Sequence, residues 1–150
     1  MRIAVASDEV YAVHDVVIAE LLRRGHEVVR FGAVASGREE PWALVAEEAA
    51  RAVADGRCDE GVLFCWSGTG IAMAANKVPT IRAALVTDAA TAAAARVWNH
   101  ANVLCLSNRL LSPDVAREIV GAWLDTPPDE RGAAGVEQLA AVDARGRGAG

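Results

Sequence analysis

A thiol, two hydroxyls and a pair of glycines fall within six consecutive residues of this chain. Residues 65–77 read Cys-Trp-Ser-Gly-Thr-Gly-Ile-Ala-Met-Ala-Ala-Asn-Lys, directly after the apolar run Gly61-Val62-Leu63-Phe64. The pattern is a strand that ends in a cysteine, turns through a glycine loop and enters a helix. Backbone N–H groups at such a turn stabilise negative charge on an oxygen. A thiolate beside them suits removal of a proton next to a carbonyl. Taken alone, the same residues also read as a tight turn after an inert core cysteine.

The elements that must carry this stretch alternate along the chain. Apolar runs predict strands over 2–6, 26–31, 61–64, 81–86 and 103–106. Helices are expected over 11–24, 41–56, 71–77, 88–98, 112–124 and 136–144. Gly25 stops the first helix, Pro41 opens the second, and Ser112-Pro113 supply an N-cap and a first-turn proline. Residues 32–41 read as a loop, and Trp42 and Trp123 as core or interface residues. This order implies an α/β chain: a three-layer Rossmann-like fold with a five-stranded parallel sheet and helices on both faces. Residues 1–144 form one domain, and residues 145–150 a flexible tail. Ligands in such folds sit at the carboxyl ends of the strands. Asp8 and Cys65 fall at that edge. Asp8 can bind a ligand there or cap the first helix, and Glu9 can equally be a solvated first-turn acid.

Bulk properties exclude other classes. The chain has 150 residues and a formal charge of −5, which argues against a nucleic-acid binder. No apolar run is long enough to span a bilayer, and Met1-Arg2 leads directly into a strand, so neither a membrane partner nor a signal peptide is expected. The three cysteines, Cys58, Cys65 and Cys105, lack metal-type spacing and suit free thiols in a cytoplasmic protein. His14, His26 and His100 form no metal-ligand pattern, and no cofactor is expected.

Beyond the glycine loop, three further stretches stand out: Ala74-Ala75-Asn76-Lys77-Val78-Pro79, Ile81-Arg82-Ala83-Ala84-Leu85 and Asn99-His100-Ala101-Asn102-Val103-Leu104. Together with Gly68-Thr69-Gly70-Ile71 they make the chain resemble the ribose-5-phosphate isomerase B family, which includes galactose-6-phosphate isomerase subunits. The resemblance covers roughly residues 2–125 and extends more weakly to about residue 140. It implies aldose–ketose isomerisation of a sugar phosphate through a cis-enediolate, without a metal. It also implies a homodimer or homotetramer whose active sites lie between subunits.

The resemblance assigns roles residue by residue. Cys65 matches the base, Ser67 a residue contacting the reacting hydroxyls, and Asp8 an acid that binds sugar hydroxyls. Gly68, Thr69 and Gly70 carry the loop amides that hold the enediolate oxygen. Asn99 matches a substrate-contacting asparagine, and Arg131 a phosphate-binding arginine given across the dimer interface. Arg109, after the fifth strand, adds positive charge.

The departures from the family pattern concern substrate. The usual histidine after Asp8 is Glu9, the ring-opening histidine is Trp98, and a glycine after the cysteine is Trp66. A second phosphate arginine is Gly135, and a basic position of the first helix is Asp15. A phosphate near Glu9 is repelled by kcal-scale amounts even at an effective dielectric of about 20. Trp66 and Trp98 can narrow the pocket or stack on a sugar ring. Two other readings therefore stand beside the first: an isomerase of an unphosphorylated or differently charged sugar, and a sugar-binding module without catalysis.

Overall fold

A computed structural model describes residues 1–148. Five strands form one all-parallel sheet: β1 (Arg2–Ser7), β2 (Glu27–Gly32), β3 (Glu60–Cys65), β4 (Ala83–Leu85) and β5 (Val103–Ser107), in the order β2-β1-β3-β5-β4. The helices are α1 (Ala12–Arg23), α2 (Ala33–Ser36), α3 (Trp42–Ala54), α4 (Thr69–Ala75), α5 (Ala89–Asn99), α6 (Pro113–Asp125) and α7 (Ala133–Arg147). A 3-10 turn, Glu130–Gly132, precedes α7.

Alternation along the central strands splits the core in two. Ala4, Ala6, Leu63, Cys65, Val103 and Cys105 point to the face covered by α3 and α4. Ile3, Val5, Val62, Phe64, Leu104 and Leu106 point to the face covered by α1, α5 and α6. This is the period-two placement of a sheet buried on both sides. No residue of α7 is buried, so that helix adds nothing to either layer.

Three expectations need adjustment. Residues 33–36 form a short helix within the expected loop. The fourth strand is three residues long instead of six, because β4 is an edge strand with β5 as its one strand partner. On its open side the Asn76 side chain pairs with Ala83, accepting from its N–H at 2.8 Å and donating to its carbonyl at 2.9 Å. That amide occupies the edge a further strand would use. The last helix continues to Arg147, past residue 144 where its end was expected. Of the expected tail, residues 149 and 150 lie outside the described residues.

At the amino ends of the strands a charged cluster is buried. The Arg96 guanidinium donates to Glu60 at 2.6 Å and lies 4.8 Å over the Trp123 ring. The Trp123 indole N–H donates to the other Glu60 oxygen at 2.7 Å. Arg96 also donates to the Ala101 and Thr126 carbonyls, so the ion pair is fully hydrogen-bonded.

Candidate active site

Cys65 is the last residue of β3 and is 6% exposed. The chain turns back at Gly68, whose φ of +79° is natural only to glycine, and the Gly68 N–H donates to Cys65 Sγ at 3.2 Å. A Cβ at Gly68 would meet the Leu106 carbonyl oxygen at 3.1 Å and Leu85 Cδ1 at 2.5 Å. Ser67 Oγ and Thr69 Oγ1 share a hydrogen bond of 2.6 Å, and the Thr69 N–H points at Ser67 Oγ at 3.4 Å. The loop thus aims one N–H donor at the sulfur and pairs two hydroxyls with each other.

Asp8 follows β1, beside β3 in the sheet. Its Oδ1 is buried without a hydrogen-bond partner. Burial, reinforced by the Glu9 and Glu39 charges, raises its carboxyl above the ordinary value of 3.8. α1 starts at Ala12 behind an N-cap at Tyr11, so Asp8 does not cap it. Glu9 is half-buried, and its N–H donates to Ser7 Oγ at 3.3 Å.

Asp8, Cys65, Trp66, Ser67, Thr69 and Gly70 line one cavity of about 270 Å³, with Trp42 as a further wall. Sequence reasoning did not place Trp42 in the site. Its helical spacing with Val45 and Ala49 points to the core, yet the side chain is 46% exposed. Its ring lies over Gly70, where a Cβ would come within 3.1 Å of the indole. Trp66 is half exposed, and the Arg109 guanidinium stacks 4.6 Å from its ring centre. Among the described residues, Arg109 has no carboxylate within ion-pair distance.

The remaining expected residues gather elsewhere. Arg131 stacks 5.2 Å over Trp98 and is held by both oxygens of Asp129, at 2.9 and 3.1 Å. That guanidinium keeps the Asp129 carboxyl below the ordinary range. His100 adopts φ +45° and its Nε2 donates to the Asp129 carbonyl at 2.8 Å. Asn99 lines a separate groove of about 820 Å³ between the β4 edge and α7. None of Trp98, Asn99 and Arg131 lines the Cys65 cavity of the same protomer. Among the described residues no group of His, Cys, Asp and Glu is arranged to hold a metal, and no helix is long and apolar enough to cross a membrane.

Comparison with known proteins gives a consistent picture. The ribose-5-phosphate isomerase B of Escherichia coli is 37% identical over 82% of this chain and 83% of its own length. A D-erythrulose-4-phosphate isomerase of Pectobacterium atrosepticum is 38% identical over 76% of this chain and 75% of its own. The structure of Clostridium thermocellum ribose-5-phosphate isomerase B superposes with a TM-score of 0.90 at 35% identity, covering 97% of this chain and 99% of that one. These relatives are isomerases that differ in the sugar phosphate they are named for. The family model described as Ribose/Galactose Isomerase matches residues 3–139, and the chain belongs to that family.

Proposed function

We propose that this chain is an aldose–ketose isomerase of a sugar phosphate, with Cys65 as the base. The open-chain sugar enters the cavity with its carbonyl toward the loop at 67–70. The Cys65 thiolate removes the proton from the carbon beside the carbonyl, and the electron pair moves onto the carbonyl oxygen. The resulting cis-enediolate is held by the loop amides and by Ser67 Oγ. The thiol then returns the proton to the neighbouring carbon, while the hydroxyl proton moves between the two oxygens. No atom is gained or lost. The Asp8 carboxylate, on the cavity wall, takes a sugar hydroxyl.

The single observation that carries this reading is the Gly68 N–H aimed at Cys65 Sγ on the wall of the cavity that holds Asp8. Arg109 stacks on Trp66, a wall of the cavity that Arg109 itself does not line, and takes the phosphate in this reading. Trp98, Asn99 and Arg131 form a second half of the site, given by one protomer to the Cys65 cavity of its partner. The three free cysteines accord with a reducing compartment such as the cytoplasm.

One observation favours a second reading, in which the sugar carries no phosphate. Arg131 is neutralised by Asp129, and Gly135 offers no side chain at the neighbouring position. The test is proton NMR in deuterated water, following exchange at the carbon beside the carbonyl. Four-, five- and six-carbon sugars are compared with and without phosphate, with Cys65→Ala as control. Cys65-dependent exchange of a phosphorylated sugar is the expected result. Exchange confined to unphosphorylated sugars selects the second reading. Binding shifts without exchange identify a sugar-binding module.

A further inference from the structure

A buried polar chain runs beside the cavity, on the face of the sheet covered by α1. His14 of α1 and Asn108, just past β5, are both buried, as is Ser7 at the end of β1. The Tyr11 N–H points at His14 Nδ1 at 3.4 Å, which leaves the ring proton on Nε2. Nε2 donates to Asn108 Oδ1 at 2.7 Å, and Asn108 Nδ2 donates to Ser7 Oγ at 3.2 Å. The His14 ring also packs 4.6 Å from Phe64.

The strands explain the importance of this chain. β3 lies between β1 and β5. The Asn108 side chain therefore straps β5 to β1 across the end of β3. Its own backbone N–H donates to the Cys65 carbonyl at 2.9 Å, and the next N–H, of Arg109, donates to the Trp66 carbonyl at 3.2 Å. Ser107 Oγ adds a bond to that same carbonyl at 2.8 Å. Ser7 immediately precedes Asp8. One residue is thus tied through its side-chain amide to the strand that carries Asp8 and through its backbone N–H to the strand that carries Cys65.

We infer that Asn108, oriented by His14, is a positioning residue that fixes the separation of Asp8 and Cys65. The inference rests on the reading of Cys65 as base and Asp8 as hydroxyl acceptor. An apolar pair would fill the same space without stranding a polar group, and would leave β1 and β5 joined through β3 alone. Misplacement of about 1 Å in a reacting group costs on the order of 100-fold in rate.

The experiment compares four proteins: the parent, His14→Leu, His14→Gln, and the double variant His14→Leu with Asn108→Leu. The double variant removes both partners together and is expected to fold. Its kcat should fall roughly 10- to 100-fold with KM changed less than about threefold. His14→Gln restores a donor toward Asn108 Oδ1 and should recover most of the parent kcat, whereas His14→Leu should not. Parent-like kcat in the folded double variant, or equal kcat for His14→Gln and His14→Leu, would overturn the inference. A second readout is the rate at which iodoacetamide alkylates Cys65, located by mass spectrometry. It should change several-fold in the double variant, and an unchanged rate counts against the inference. This readout does not depend on turnover. If the parent shows no Cys65-dependent exchange, the base assignment fails, and the alkylation rates alone decide whether Asn108 positions Cys65.

Discussion

The Gly68 amide and the Cys65 sulfur sit 3.2 Å apart across a three-residue turn, with the N–H directed at Sγ. Both halves of that contact are open to mutation. Cys65→Ser keeps the shape but weakens the base, and proton exchange should fall by about 10² to 10⁴ while the melting temperature barely moves. Gly68→Ala forces a side chain into a positive φ and against Leu106. It should cost about 1–3 kcal/mol of stability as well as activity, read by calorimetry and by NMR exchange.

The partly buried Asp8 carboxylate costs the fold stability. Its folded pKa lies above 3.8, so between the two values the native state binds more protons than the unfolded chain. Stability therefore falls as pH rises through the raised pKa. Asp8→Asn removes the charge and should melt about 2 °C higher at pH 7, with the gain vanishing below pH 3.8. Isomerisation should drop in the same variant. An unchanged melting temperature across this range would show that the buried carboxylate carries no such strain.

His14 has the opposite sign. Burial lowers its pKa below the ordinary 6.5, so the unfolded chain takes up the proton first. Stability contributed by the neutral ring is full above pH 6.5 and is lost as pH falls below it. Protonation would also set an Nδ1–H against the Tyr11 N–H. His14→Gln should flatten the stability profile below pH 6.5, as measured by denaturant titration at each pH.

Arg109 and Trp66 should separate in their effects. Arg109→Met removes the cation and should raise KM for a phosphorylated sugar about 10- to 100-fold with little change in kcat. Trp66→Leu leaves the charge but removes its platform, and should raise KM only about two- to fivefold. Arg109→Met should leave an unphosphorylated sugar unaffected, whereas Trp66, on the cavity wall, contributes with either sugar, and steady-state kinetics on matched substrates reads both.

The proposed sharing of the site between protomers predicts complementation. Cys65→Ala and Arg131→Ala are each expected to be inactive as pure proteins. Mixed one to one after dissociation and reassembly, the hybrid dimers hold one intact site in two. Activity should return to about a quarter of the parent value. No recovery in a verified hybrid would place both residues in the same protomer's site.

Much of this architecture is legible in local pattern. The apolar alternation of 61–64 and 103–106 gives strands of a doubly covered sheet, and Ser112 caps α6 by accepting from the Val115 N–H at 3.2 Å. The Cys65 loop reads correctly because strand, turn and helix are contiguous. What escapes is partnership at long range. His14 and Asn108 stand 94 residues apart and meet only because α1 and the end of β5 converge beside Phe64. Trp42 follows the apolar stripe of its helix but is drawn to the surface of Gly70, where the missing Cβ leaves room for an indole. Arg131 reads as a free cation until the fold sets Asp129, two residues away, into bidentate geometry.

The Glu60–Arg96–Trp123 cluster has a consequence for how this chain can evolve. It anchors the sheet at the rim opposite the Cys65 cavity. Loss of Glu60 or Arg96 strands a buried charge, so positions 60 and 96 should drift only in concert, as an epistatic pair. Among the described residues, Glu9 and Trp66, by the cavity, belong to no buried ion pair. These two positions can be exchanged one at a time, and with them the pocket's preference, while the inherited scaffold stays whole.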